Sequence, residues 1–70
     1  MDQETVDILR ESVETRLRKE SFEGAVGRTV RRRGMDFQRY IRVISELRAY
    51  AEGLKLSPED AVGRLLGKEE

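Results

Sequence analysis

Residues 18–27 read "RKESFEGAVG", and whether the chain turns inside them decides between a long rod and a helical bundle. Upstream, Val6, Leu9, Val13 and Leu17 step by three and four, which is one stripe of a helix over about residues 3–19. Downstream, Phe22, Val26 and Val30 repeat every four residues, but on a continued helix they would lie opposite that stripe. Gly24 and Gly27 each cost roughly 1 kcal/mol in a helix interior relative to alanine. A break at Ser21 is therefore predicted, followed by a short helix over 22–32 with Gly34 at its C′ position. Two apolar faces pointing different ways around Ser21 predict surface left over for a partner. Phe22, Val26 and Val30 are on this ground interface candidates.

Working outward, Asp36 is an N-cap for the strongest helix of the chain, residues 37–53, which Gly53 ends. Phe37, Tyr40, Ile41, Ile44, Leu47, Ala51 and Leu54 give it a broad apolar face. Arg48 falls inside that face, which predicts either a stem that snorkels to the rim or a carboxylate met on another helix or subunit. It is the fourth interface candidate. "SPED" at 57–60 starts a further helix over 58–66: Ser57 caps, Pro58 takes the first helical position, acids follow, and Gly67 closes. Ala61, Val62, Leu65 and Leu66 give it an apolar side. Strand alternation is nearly absent. The expected fold is all-α: one small domain over 1–70 with three to four helices, a helical hairpin plus a short C-terminal helix.

Seventy residues leave a lone core marginal in stability, and with no cysteine there is no disulfide to reinforce it. Self-association is the expected remedy, as a homo-oligomer or on a larger protein assembly. No apolar run approaches the roughly twenty residues that span a bilayer, and the acidic "MDQETVD" start is unlike a signal peptide. A cytoplasmic location is expected, with no membrane partner.

Catalysis is not expected. Without histidine or cysteine there is no triad, thiolate or imidazole base, and the soft metal ligands are missing. The carboxylates fall at solvent-facing helical positions, not paired in an apolar setting that raises a pKa. "GRLLGKE" is one residue short of a phosphate-binding loop and has glutamate where a hydroxyl must meet magnesium. "GAVG" has the outline of an RNA-clamping loop but no basic residues between its glycines. No cofactor and no metal site is predicted.

The charges sum to zero but are segregated. Residues 1–15 hold five acids and one arginine, −4; residues 16–42 hold nine basic and three acidic side chains, +6; residues 43–70 return to −2. Part of this complements helix dipoles, with acids at the first helix's start and Arg16, Arg18 and Lys19 at its end. The six arginines between positions 28 and 42 allow two readings. Arg28, Arg31, Arg32, Arg33, Arg39 and Arg42 could neutralise nucleic acid phosphates, with Tyr40 for stacking. As structure, they form a collar around a helix junction, with Tyr40 and Phe37 in the core. A sequence pI near 6.3 is unlike the footprint of a nucleic-acid binder and favours the collar.

Within "DFQRYIRVISELRAY", the run Asp36-Phe37, Tyr40, Val43, Ile44 and Leu47 resembles small helical proteins encoded by tailed bacteriophages. Those have an Asp-aromatic pair, then tyrosine, then an Ile-x-x-Leu-like helix, and their genes often lie among head-assembly genes. The likeness covers about twenty of the seventy residues and lacks the glycine expected near Val43 and Glu46. It implies a virion structural or assembly accessory protein. The expected function is thus a non-enzymatic protein–protein interaction module, held in the host cytoplasm or incorporated in a virion. The alternative is a small nucleic-acid-binding regulator.

Overall fold

The computed structural model describes residues 1–69, with side chains through Gly67. It consists of four helices: α1 (Gln3–Thr15), α2 (Phe22–Arg32), α3 (Phe37–Leu54) and α4 (Pro58–Glu69). There is no strand among the described residues. Each helix begins at a side chain that accepts a backbone N–H three residues on, satisfying a donor the helix itself cannot. Asp2 accepts from Thr5, Ser21 from Gly24, Asp36 from Arg39 and Ser57 from Asp60.

The break at Ser21 is present, and α2 has the bounds the sequence predicts. Gly34, at φ 74, closes α2: its N–H donates to the Arg31 carbonyl (2.9 Å) and the Met35 N–H to the Val30 carbonyl (3.1 Å). Only a left-handed residue lets the chain double back so, bringing Met35 over Val30. The same pair of bonds ends α3, from Lys55 to Glu52 (3.1 Å) and from Leu56 to Ala51 (3.0 Å), with Lys55 at φ 58. Gly53 therefore lies inside α3 and is not its terminator. Leu56 packs on the core, and the position that brings it there, not the nearest glycine, sets the stop.

Helix α1 ends at Thr15, four residues short of the predicted 19, because Arg16 leaves helical geometry (ψ 129) to start the crossing to α2. Helix α4 runs through Gly67 to Glu69 instead of stopping at 66. The face of α1 also differs from expectation. Val13 and Leu17 are 45% and 62% exposed, and Thr5, Val6, Ile8, Leu9 and Ser12 are buried. Two of those five are hydroxyl residues, which an apolar count passes over. Ser12 Oγ lies 2.7 Å from the Ile8 carbonyl and 3.1 Å from Thr29 Oγ1, whose hydroxyl donates to the Ala25 carbonyl (2.9 Å). Ser12 and Thr29 thus satisfy their hydroxyls on their own helices and on each other where α1 packs on α2, while Thr5 Oγ1 is buried without a partner.

Successive helices pack on one another, and α4 returns to touch α1. Ile8, Leu9, Phe22, Val26, Val43 and Leu47 meet in one core, with Val30, Ile44, Ala51, Ala61 and Val62 around them. The Cα radius of gyration is 11.1 Å, against about 11 Å expected for one domain of this length. Phe22, Val26 and Val30 are consequently core residues and not interface candidates. The turn at Ser21 folds both apolar faces into the same interior. That removes the argument for self-association from two divergent faces.

Candidate interaction site

The arginines divide into those held by the fold and those left free. Arg28 forks onto Glu20, Nε to Oε2 at 3.0 Å and Nη2 to Oε1 at 2.8 Å, and Nη2 also donates to the Thr15 carbonyl (2.8 Å). It thus caps the end of α1 and fixes the crossing segment, where Glu20 accepts the Leu17 N–H and the Arg16 side chain donates to the Glu20 carbonyl. Arg33 places Nε and Nη2 on Glu11 Oε1 (3.1 and 2.8 Å), tying the C-terminus of α2 to α1. Arg39 meets Asp2 and Glu4, and Arg42 lies 3.6 Å from Asp2 and 3.5 Å from Glu46. Arg16 reaches Glu59 of α4 at 2.9 Å.

The −4 segment at the N-terminus and the +6 middle are therefore partners within one chain. Four of the six candidate phosphate contacts, Arg28, Arg33, Arg39 and Arg42, are engaged on carboxylates of their own molecule. Arg31 and Arg32 are exposed and enter no ion pair among the described residues. Arg48 is likewise exposed and makes no ion pair with its i+4 neighbour Glu52. Pairs this exposed are screened by solvent, so they orient helices more than they stabilise them.

The Arg28 guanidinium, helped by the Leu17 N–H, holds the Glu20 carboxyl down from 4.5 to about 2. A depressed carboxylate adds stability that is fully present above its unfolded pKa and is lost as pH falls through its folded one. Between about pH 5 and pH 2 the melting temperature should fall. Glu20→Gln should lie below the wild type at pH 7 and converge on it toward pH 2, followed by circular dichroism. Parallel wild-type and variant curves over that range would contradict the linkage.

Between α2 and the start of α3 lies an open cleft of about 910 Å³. Its α2 wall carries Glu23, Gly24, Gly27 and Arg31, and its other wall Met35, Phe37 and Tyr40. Tyr40 is half-buried over Gly27, where an added Cβ would stand 3.5 Å from the ring. Phe37 stacks on Tyr40 with ring centroids 5.4 Å apart and planes 20° apart. Phe37, expected in the core, is instead 69% exposed at the cleft's edge. As the first residue of α3 it projects before the helix has turned onto α2, so angle alone misplaces it. A smaller cleft between α1 and α4 is bridged by the Arg16–Glu59 pair.

No three metal-ligating side chains come together among the described residues, and no helix there is long and apolar enough to cross a membrane. No family model, curated protein or solved structure matches this chain.

Proposed function

We propose that this chain is a non-enzymatic interaction module that docks a helix of a protein partner in the cleft between α2 and α3. One observation carries the reading: the fold neutralises most of its own arginine collar yet leaves an aromatic side chain, Phe37, exposed at the edge of an open cleft. Exposed aromatics set against a concavity are the side chains that carry most binding energy at protein interfaces. Glu23 at one end of the cleft and Arg31 at the other favour a helix running antiparallel to α2 in which, as in α2, the acid precedes the base. The resemblance of Asp36 to Leu47 to small phage proteins supports a setting in virion assembly, in the host cytoplasm or on the particle. Retention of the chain on sedimented heads is the direct check on that setting.

The rival reading, nucleic acid binding, is tested by salt dependence. With only Arg31 and Arg32 of the six free, duplex DNA should bind weakly, with a log–log salt slope no steeper than about −2. Arg31→Gln with Arg32→Gln should flatten that slope while leaving the helices intact, since glutamine is nearly as good a helix former. A submicromolar complex with a slope of about −3 or steeper, abolished by the double change, would overturn the protein-docking reading.

A further inference from the structure

We propose that the cleft's occupant is the α2 helix of a second copy of this chain, laid antiparallel across the first about a two-fold axis at Gly27. The proposal rests on the protein-docking reading and names its partner. Five charged side chains line the cleft: Glu20, Glu23, Arg28, Arg31 and Asp36. Glu20 and Arg28 neutralise each other, and Asp36 caps α3. Glu23 and Arg31 remain, neither in an ion pair among the described residues.

Their placement is self-complementary. Positions 23, 27 and 31 step by four, so they share one stripe of α2. In an antiparallel pairing centred on Gly27, a residue before the centre faces the one equally far after it in the other copy. Glu23 then faces the second copy's position 31, and Arg31 its position 23, so one contact made twice satisfies both charges. A closed two-fold interface requires this reciprocity, and a helix with a single uncompensated charge cannot supply it.

The local relief agrees. Between the two charges the cleft wall bears Gly24, without a side chain, and Gly27 beneath the Tyr40 ring, so the incoming helix crosses against Gly24 and Tyr40. Phe37 stands at the edge, where it can lie against the incoming helix. The four arginines held on the chain's own acids do not compete for Glu23. A protein of 70 residues with no disulfide gains stability from such an association by mass action.

The test is a charge exchange read by sedimentation equilibrium on the full chain. The wild type should associate to a dimer that weakens with added salt. Glu23→Arg alone faces arginine with arginine, and Arg31→Glu alone faces glutamate with glutamate. Each should weaken self-association by about tenfold or more. Mixing the two single variants sets the arginine introduced at position 23 against the glutamate introduced at position 31. On the other side of the axis the unchanged Arg31 of the first variant meets the unchanged Glu23 of the second. A dimer with one chain of each kind should therefore be restored. The mixture contains the same chains as the separate solutions, so a folding defect in either variant cannot produce a complex that forms only on mixing. Loss of helix content is checked by circular dichroism on each variant. A wild type that stays monomeric, or single variants that fail to pair on mixing although each is helical, would overturn the second-copy assignment. That result leaves the docking reading standing, which only the DNA titration above removes.

Discussion

Replacing Phe22 with alanine is expected to cost about 3–5 kcal/mol of folding stability, the largest loss of any single truncation in this chain. The ring is 3% exposed at the first position of α2 and belongs to the cluster formed by Ile8, Leu9, Val26 and Leu47. It sits one residue after the Ser21 cap, so it is the side chain that the turn between α1 and α2 delivers to the interior. Truncation removes the apolar area and leaves a cavity that rigid helices cannot close. A domain of this size has a total stability of roughly 4–10 kcal/mol, so the alanine variant should be largely unfolded on warming. Phe22→Leu keeps most of the volume and should lose no more than about 1.5 kcal/mol, which keeps the comparison measurable by urea unfolding. A loss below about 1 kcal/mol for Phe22→Ala would mean that the ring is at the surface, where a divergent apolar face would place it.

The helix starts were legible because an N-cap is local. Ser21, Asp36 and Ser57 each satisfy a backbone donor three residues away, and nothing distant is needed to recognise them. The ends were not, with the exception of Gly34. Thr15 ends α1 because Arg28, thirteen residues on, takes its carbonyl, and Lys55 ends α3 because Leu56 must reach the core. Neither cause lies within the helical pattern that precedes the stop. The buried face of α1 departs from its apolar stripe for a related reason. Thr5 and Ser12 count as polar in a sequence, yet Ser12 is buried through bonds to its own helix and to Thr29.

The collar of arginines was legible as a structural device, but its partners were not. Arg33 and Glu11 are 22 residues apart, and Arg39 and Asp2 are 37 apart. Such pairs follow from how α1 lies against α2 and α3, which charge counting along the chain does not contain. Segregation of −4 from +6 was the visible trace of it: each block compensates the other across the fold. The same pairing is what isolates Glu23 and Arg31 as the charges the cleft leaves unanswered. Phe37 lies with Ile41 at the margin of the predicted face that the rotation of α3 turns outward, and its position at the very start of α3 carries it past the end of the core.

The apolar face of α3 provides the second large effect, because residues that look alike in sequence should behave in opposite ways. Leu47 is 1% exposed and Ile41 is 44% exposed. Both fall on the face that spacing predicts, but the helix is rotated so that Val43, absent from that face, is fully buried and Ile41 turns outward. Leu47→Ala should therefore cost about 2–5 kcal/mol, through lost burial and a cavity among Ile8, Leu9 and Val26. Ile44, 8% exposed at the margin of the same cluster, should fall toward the lower end of that range. Ile41→Ala should cost under about 1 kcal/mol, partly offset because alanine is the better helix former. Chemical denaturation of the three variants fixes the rotation of α3 without any reference to a partner. If Ile41→Ala proved as costly as Leu47→Ala, the helix would have to present Ile41 to the core. Phe37, four residues before it on the same side, would then turn inward too, and the cleft would lose its aromatic wall.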